Sequence, residues 1–293
     1  MPDIFRFQNV KIVHFEPTTN CNAACPQCLR TRTEFEPNEL SLDDVKRLFD
    51  PGVLLQLEKI YMCGNYGDPA SARQTIEMYE YFKSINPNII IGMNTNGGIR
   101  YPEWWDRLAK VMNGEKDYVV FSIDGLEDTN HLYRRNVRWS KVIENAQAFI
   151  NAGGKAHWDM LVFEHNKHQV DQTHSIAKTM GFKWFRAKVS RRFVRFPVDG
   201  ISQPIDFVDN RVNEGYIECS AMKENSIYID ASGKAYPCCW QGENTHQPNI
   251  VQWFYDLSEN WNTNPDKTCA KSCLKNTTGT TFSNQFVREI EIK

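Results

Sequence analysis

The residues best suited to chemistry in this 293-residue chain are three cysteines packed into eight positions, Cys21-Asn-Ala-Ala-Cys25-Pro-Gln-Cys28. Thiolates ligate soft metals, and a structural zinc ion takes four protein ligands. Three close cysteines leave one metal position without an obvious protein ligand. A cubane [4Fe–4S] cluster held by three thiolates keeps one iron open, and an open iron binds a substrate or cofactor. Two other readings stand beside this one. Zinc would recruit His14, just upstream, as its fourth ligand. Cys25-Pro-Gln-Cys28 is also a C-x-x-C pair of the redox kind, which leaves Cys21 without a role and expects a helix starting at the first thiol.

A second group lies late in the chain: Cys219, thirteen residues, Gly233, four residues, Cys238, and then Cys269-x₃-Cys273. Four thiolates close the shell of either a zinc ion or a cubane cluster. Cys239 is then spare, although it can exchange roles with Cys238. Cys63 reads as a buried, unreactive thiol. Nine cysteines in odd number, clustered rather than spread, fit metal or redox chemistry better than a disulfide framework.

The elements that must position these groups follow from periodicity. Strand-like runs at 11–17, 59–64, 88–96, 117–124, 156–163 and 183–189 alternate with helical patterns. The helices are expected from Ser41 through Leu48, from about Ser71 to Phe82, over 101–112, from near Ser140 to the Gly153-Gly154 stop, and over 167–181. Repeated βα units imply a parallel sheet with right-handed crossovers, here a barrel of about six units, complete or incomplete. From residue 191 the pattern breaks into a linker, then a hairpin turning at Ser232-Gly233, then a turn-rich tail that needs a staple. Apolar residues make up 41% of the chain, enough for a proper core, and the net charge is −2. That balance argues against sequence-blind nucleic-acid binding and against a basic membrane-surface protein. No apolar run is long enough to span a bilayer, the start has no signal peptide, and the chain is read as cytoplasmic.

C-x₃-C-x₂-C after the first strand resembles the radical S-adenosylmethionine (SAM) superfamily. The resemblance implies a partial (β/α)6 barrel over residues 1–190 and a [4Fe–4S] cluster on Cys21, Cys25 and Cys28 whose open iron chelates SAM. It further implies reductive cleavage of SAM to a 5′-deoxyadenosyl radical that abstracts a substrate hydrogen. Gly64, Asn65, Tyr66, Gly67 and Asp68 resemble the family's glycine-rich motif at the SAM amino group. Asn94, Thr95 and Asn96 resemble its Thr-Asn-Gly stretch. Ser122 and Asp124 match the serine and acid near the SAM ribose and carboxylate, and Arg134 the carboxylate-binding arginine, with Arg135 next door as the other candidate. Phe163, within 162–166, would border the adenine with its backbone. The residue before the third cysteine, often aromatic in the family and packed near the adenine, is Gln27, so a changed contact is expected there with cluster binding retained.

Residues 191–293 resemble a linker and the twitch form of the SPASM domain, which implies an auxiliary [4Fe–4S] cluster on Cys219, Cys238, Cys269 and Cys273. Relatives of this architecture act on peptides, small sugars or cyclitols, and nucleotides, and take electrons from donors such as flavodoxin or ferredoxin. Arg186, Lys188, Arg191, Arg192 and Arg195 form either a solvated basic stretch or an anion site. Of these, Arg186 and Lys188 alternate on a strand end that faces the pocket. Tyr66, Glu164 and His165 are the candidate acid–base groups. The barrel begins near residue 10, with no separate leader-binding domain before it, which lowers the peptide-maturase reading. A reading from another class is a non-catalytic Fe–S electron carrier or sensor, which needs no SAM-binding loops.

Overall fold

The computed structural model describes residues 9–190, 192–193, 195–205, 216–275 and 286–291. The first half is a run of βα units: β1 (Ile12–Phe15), α1 (Leu29–Arg32), α2 (Leu42–Leu48), α3 (Pro51–Gln56), β2 (Lys59–Met62), α4 (Thr75–Ile85), β3 (Ile90–Thr95), α5 (Pro102–Val111), β4 (Tyr118–Ser122), α6 (Glu127–Tyr133), α7 (Trp139–Asn151), β5 (Ala156–Val162), α8 (Val170–Met180) and β6 (Trp184–Val189). Local chemistry sets the helix ends. Ser41 and Asp44 form a reciprocal capping box on α2, and Asp50 caps α3 with Pro51 in its first turn. Gly181 closes α8 at φ +92°. Helix α4 begins at Thr75 rather than near Ser71, because the Asp68 side chain caps a separate 3-10 turn over Pro69–Ser71. The short helix α6 lies outside the helices that the sequence patterns predict.

Strands β1 to β6 lie side by side in sequence order, all parallel. Period two sorts their side chains into two faces. On β5, Trp158 and Met160 are fully buried on the helix side, where Trp105, Phe121, Phe149 and Phe182 also pack. The alternating residues Asp159 and Leu161 line a cavity on the other face.

The second half contributes β7 (Tyr216–Ile217), α9 (Ser220–Lys223), β8 (Ser226–Ile229), β9 (Ala235–Tyr236), α10 (Ile250–Glu259), α11 (Lys267–Cys273), β10 (Leu274–Lys275) and β11 (Phe286–Glu291). The hairpin β8–β9 does not stand apart from the barrel. Strand β8 runs parallel to β1 with Val13 opposite Ile227, and β11 adds antiparallel to β6, giving one nine-stranded sheet. The physical reason is that β1 would otherwise leave an unpaired edge, which Ile227 and Ile229 cover with buried apolar side chains.

Candidate active site

The cysteine loop leaves β1 and enters the cavity formed at the strand ends. Cys21, Cys25 and Cys28 all line it. Ala24 N–H donates to the Arg135 carbonyl at 3.0 Å and Cys28 N–H to the Cys25 carbonyl at 3.0 Å, which fixes the curl of the loop. Burial pushes the Cys21 thiol up to about 12 and raises Cys25 as well, with the Arg134 charge opposing the second shift. Thiols this reluctant to ionise need a cationic centre among them to stay thiolates, as an iron–sulfur cluster supplies. The helix after the loop begins at Leu29, beyond the third thiol, so the geometry expected of a redox C-x-x-C is not formed. Nor does His14 serve as a zinc ligand. Its Nε2 contacts the Cys63 carbonyl and its ring stacks on Tyr61 at 4.7 Å. Among the described residues, no group of three or more His, Cys, Asp or Glu side chains is placed to hold a single metal ion.

The loop after β2 is built by a residue that sequence reasoning missed. Glu16, 1% exposed at the end of β1, accepts the N–H groups of Tyr66 and Gly67 at 2.8 Å each, and Tyr228 Oη donates to its other oxygen. Two glycines make the tight fold possible. A Cβ on Gly64 would lie 2.3 Å from the Gly67 carbonyl oxygen, and one on Gly67 would lie 1.8 Å from the Thr18 carbonyl oxygen. Asn65 Nδ2 donates to the Cys239 carbonyl at 2.9 Å, which ties this loop to the second half. Asp68 is buried and accepts from Thr95 Oγ1 at 2.8 Å, Ala70 N–H at 3.0 Å, and Asn96 N–H and Nδ2 at 2.7 Å each. With so many donors it positions the loop after β3 rather than offering a free carboxylate. Asn96 Nδ2 in turn approaches Cys21 Sγ at 3.6 Å.

Asn94, Thr95, Asn96, Ser122 and Arg134 line the same cavity. Asp124 is fully buried behind it, accepting Arg134 Nε at 2.6 Å and Leu161 N–H at 2.6 Å. Arg134 is thereby aimed with Nη1 3.9 Å from Cys25 Sγ, whereas the Arg135 side chain is exposed and off the cavity.

Several expected site residues sit elsewhere. Gln27 is fully buried and off the cavity. Its Nε2 donates to the Phe196 carbonyl at 3.0 Å and its Oε1 accepts Ser190 Oγ at 3.1 Å, so it clamps the segment after β6 instead of meeting the cavity. Phe163 is buried in a cluster with Cys25, Tyr133 and Ile201, and His165 stacks on it at 5.2 Å. Glu164 pairs with Lys167 at 3.1 Å and accepts Ile205 N–H at 2.8 Å. None of the three is on the cavity wall, because the chain turns away at the end of β5. Tyr66 alone of the acid–base candidates is on it.

The anion site expected of Arg186 and Lys188 is altered by Asp159, directly opposite Arg186 on β5. Arg186 grips both Asp159 oxygens, with Nε at 2.9 Å, and Lys188 Nζ lies 3.1 Å from the second oxygen. Only Lys188 of the two cations lines the cavity. Arg192 donates to the Gln27 carbonyl at 2.9 Å, Arg195 pairs with Glu243, and Arg191 lies outside the described residues.

The second cysteine group also converges. Cys219, Cys238, Cys269 and Cys273 line one small cavity walled by Trp240, Phe254 and Trp261, with Gln241 Nε2 3.7 Å from Cys269 Sγ. Burial pushes Cys269 up to about 11 and raises Cys219 and Cys238. Cys239 points instead into the main cavity, beside Cys63. Trp240 and Thr268 line both cavities and so form the wall between them.

The model of the radical SAM superfamily matches residues 15–175, more than half of the chain. The chain belongs to that superfamily, whose members are enzymes that use a [4Fe–4S] cluster and SAM. Solved structures of similar fold include Streptococcus suis SuiB bound to S-adenosylmethionine, at 15% identity and TM-score 0.60 over 89% of this chain and 67% of that one. SuiB bound to precursor peptide SuiA aligns at 15% identity and TM-score 0.61, over 85% of this chain and 65% of that one. Native anSMEcpe with bound AdoMet and Cp18Cys peptide aligns at 14% identity and TM-score 0.58, over 96% of this chain and 92% of that one. The chain thus spans about two thirds of the SuiB length, and at these identities the likeness is one of fold. No curated protein matches the sequence.

Proposed function

We propose that this enzyme reductively cleaves SAM at a cluster held by Cys21, Cys25 and Cys28 and abstracts a hydrogen atom from a substrate in the same cavity. One observation carries the reading. The three thiols, the Gly64–Asp68 loop, the Asn94–Asn96 stretch, Ser122 and Arg134 come from separate strand ends and line one cavity of about 640 Å³. That volume falls within the range of small-ligand sites, roughly 300–1,000 Å³. Held by Cys21, Cys25 and Cys28, a cluster with SAM would supply the 5′-deoxyadenosyl radical chemistry that breaks a substrate C–H bond. The protein's part is to hold and orient. Arg134 meets the SAM carboxylate, Glu16 and Asp68 shape the loops around it, and Tyr66 is the acid–base group at hand, its phenol pushed above the ordinary tyrosine value by burial. A non-catalytic electron carrier would have no use for these loops. Dithionite-reduced, reconstituted protein should convert SAM to 5′-deoxyadenosine and methionine, and an inert reduced protein would overturn the reading.

Arg134→Ala should weaken SAM binding by about ten-fold to over a hundred-fold, the loss of a charge-assisted pair of roughly 1.5–3 kcal/mol. Equilibrium binding to the cluster-loaded variant checks this, and unchanged affinity would move the role to another residue.

For residues 191–293 we infer a twitch-like unit with an auxiliary [4Fe–4S] cluster on Cys219, Cys238, Cys269 and Cys273. Its support is the convergence of those four thiols on one cavity, with Cys239 left out of it. Fully reconstituted protein should then carry about eight irons and eight sulfides per chain. Zinc at the second site of anaerobically purified protein would contradict the inference.

The substrate is a small molecule, a nucleotide or a peptide, and the electron donor is of flavodoxin or ferredoxin type. A peptide is the second reading, because the fold is shared with structures whose peptides are bound. Among the described residues, no helix is long and apolar enough to cross a membrane.

A further inference from the structure

Lys188 and Asp159 meet on the inward face of β5 and β6, in the part of the main cavity that also holds Cys63. Asp159 is 7% exposed and accepts three charge-assisted hydrogen bonds, two from Arg186 and one from Lys188. Burial alone would raise its carboxyl, but the Lys188 and Arg186 cations outweigh that and hold it below the ordinary range. It is therefore a fixed anion, close to filled.

Lys188 is not filled. An ammonium has three N–H donors. Among the described residues its one hydrogen-bonding partner is Asp159, at 3.1 Å, and the rest of its head opens on the cavity. Once a substrate fills the cavity, open donors on a largely buried cation require an acceptor. Nearby side chains do not offer an anionic one. Burial keeps the Cys63 thiol protonated, its ionisation pushed up to about 12, and the Asp124 carboxylate is held by Arg134.

We infer that Lys188 binds a carboxylate of the substrate, with Asp159 as the positioning residue that fixes the ammonium and excludes dianions. This rests on the proposed radical SAM reading of the same cavity. A carboxylate fits better than a phosphate monoester for two reasons. Lys188 is a single point cation, and the neighbouring Arg186 guanidinium is turned onto Asp159, so no open fork adjoins it; Arg192 and Arg195 on the same cavity wall are engaged by the Gln27 carbonyl and by Glu243. A second negative charge on the ligand would also face the Asp159 carboxylate a few ångströms away and be repelled.

The test uses full-length reconstituted protein with SAM and three isotope-labelled probes in equilibrium dialysis: N-acetylglutamate amide, its neutral glutamine counterpart, and the phosphoserine counterpart. Wild type should bind the glutamate probe about ten-fold or more tighter than the glutamine probe, the size of one charge-assisted hydrogen bond. Lys188→Met should erase that difference. Asp159→Asn should bring phosphoserine binding up toward that of glutamate, a change of selectivity that mere loosening of the barrel would not produce. Equal binding of the glutamate and glutamine probes by wild type overturns the inference, as does a glutamate preference that survives in Lys188→Met or a wild-type preference for phosphoserine. The two levels separate cleanly. Wild type that cleaves SAM without a glutamate preference refutes only the carboxylate site, whereas failure to cleave SAM refutes the reading beneath it.

Discussion

Replacing Cys21, Cys25 and Cys28 together by alanine is expected to reduce SAM cleavage to background and to halve the iron content, from about eight to about four atoms per chain. The expectation follows from position as well as from spacing. These thiols share one cavity with Arg134 and the strand-end loops, and the other four predicted ligands line a second cavity beyond Trp240 and Thr268. Removing one set therefore leaves the shell of the other intact. Iron analysis and product chromatography on the same preparation measure both effects. Cleavage at the wild-type rate would place the chemistry elsewhere.

The second large effect is expected from a residue with no side chain. Gly67→Ala places a Cβ 1.8 Å from the Thr18 carbonyl oxygen, against backbone that cannot swing aside as a side-chain tip can. The loop must shift, and the Glu16 hydrogen bonds to the Tyr66 and Gly67 N–H groups must shift with it. We expect a loss of about 3 kcal/mol in stability together with impaired SAM binding. Gly153→Ala is the informative contrast. Its φ of +92° strains an alanine, but a Cβ there meets nothing within 4 Å, so a cost nearer 1 kcal/mol is expected. Chemical denaturation of both variants decides the matter, and equal stabilities would mean that the loop is not tightly built.

The barrel was legible because its strands and helices carry different periods, and the six strands stand within a residue or two of where alternation and apolar runs put them. The cysteine loop was legible because thiol spacing is itself the chemistry. What could not be read were contacts between strands. Asp159 is an unremarked residue inside an apolar run, and only the register of β5 against β6 sets it opposite Arg186. Glu16 looks like a strand end, and its role depends on a loop fifty residues later and a tyrosine from the second half. Glu164 and His165 follow a strand end in sequence, but the turn after β5 carries them off the cavity. The hairpin of the second half carried a strand pattern and no signal of its partner, since one-dimensional patterning cannot say that β1 lacks a neighbour.

The most direct test of the central claim is electron–nuclear double resonance on reduced protein with SAM labelled with ¹⁵N at the amino group or ¹⁷O at the carboxylate. The account predicts hyperfine coupling of both labels to a cluster that is lost in the Cys21, Cys25 and Cys28 triple variant. A cluster spectrum unchanged by SAM, with no coupling to either label, would contradict it.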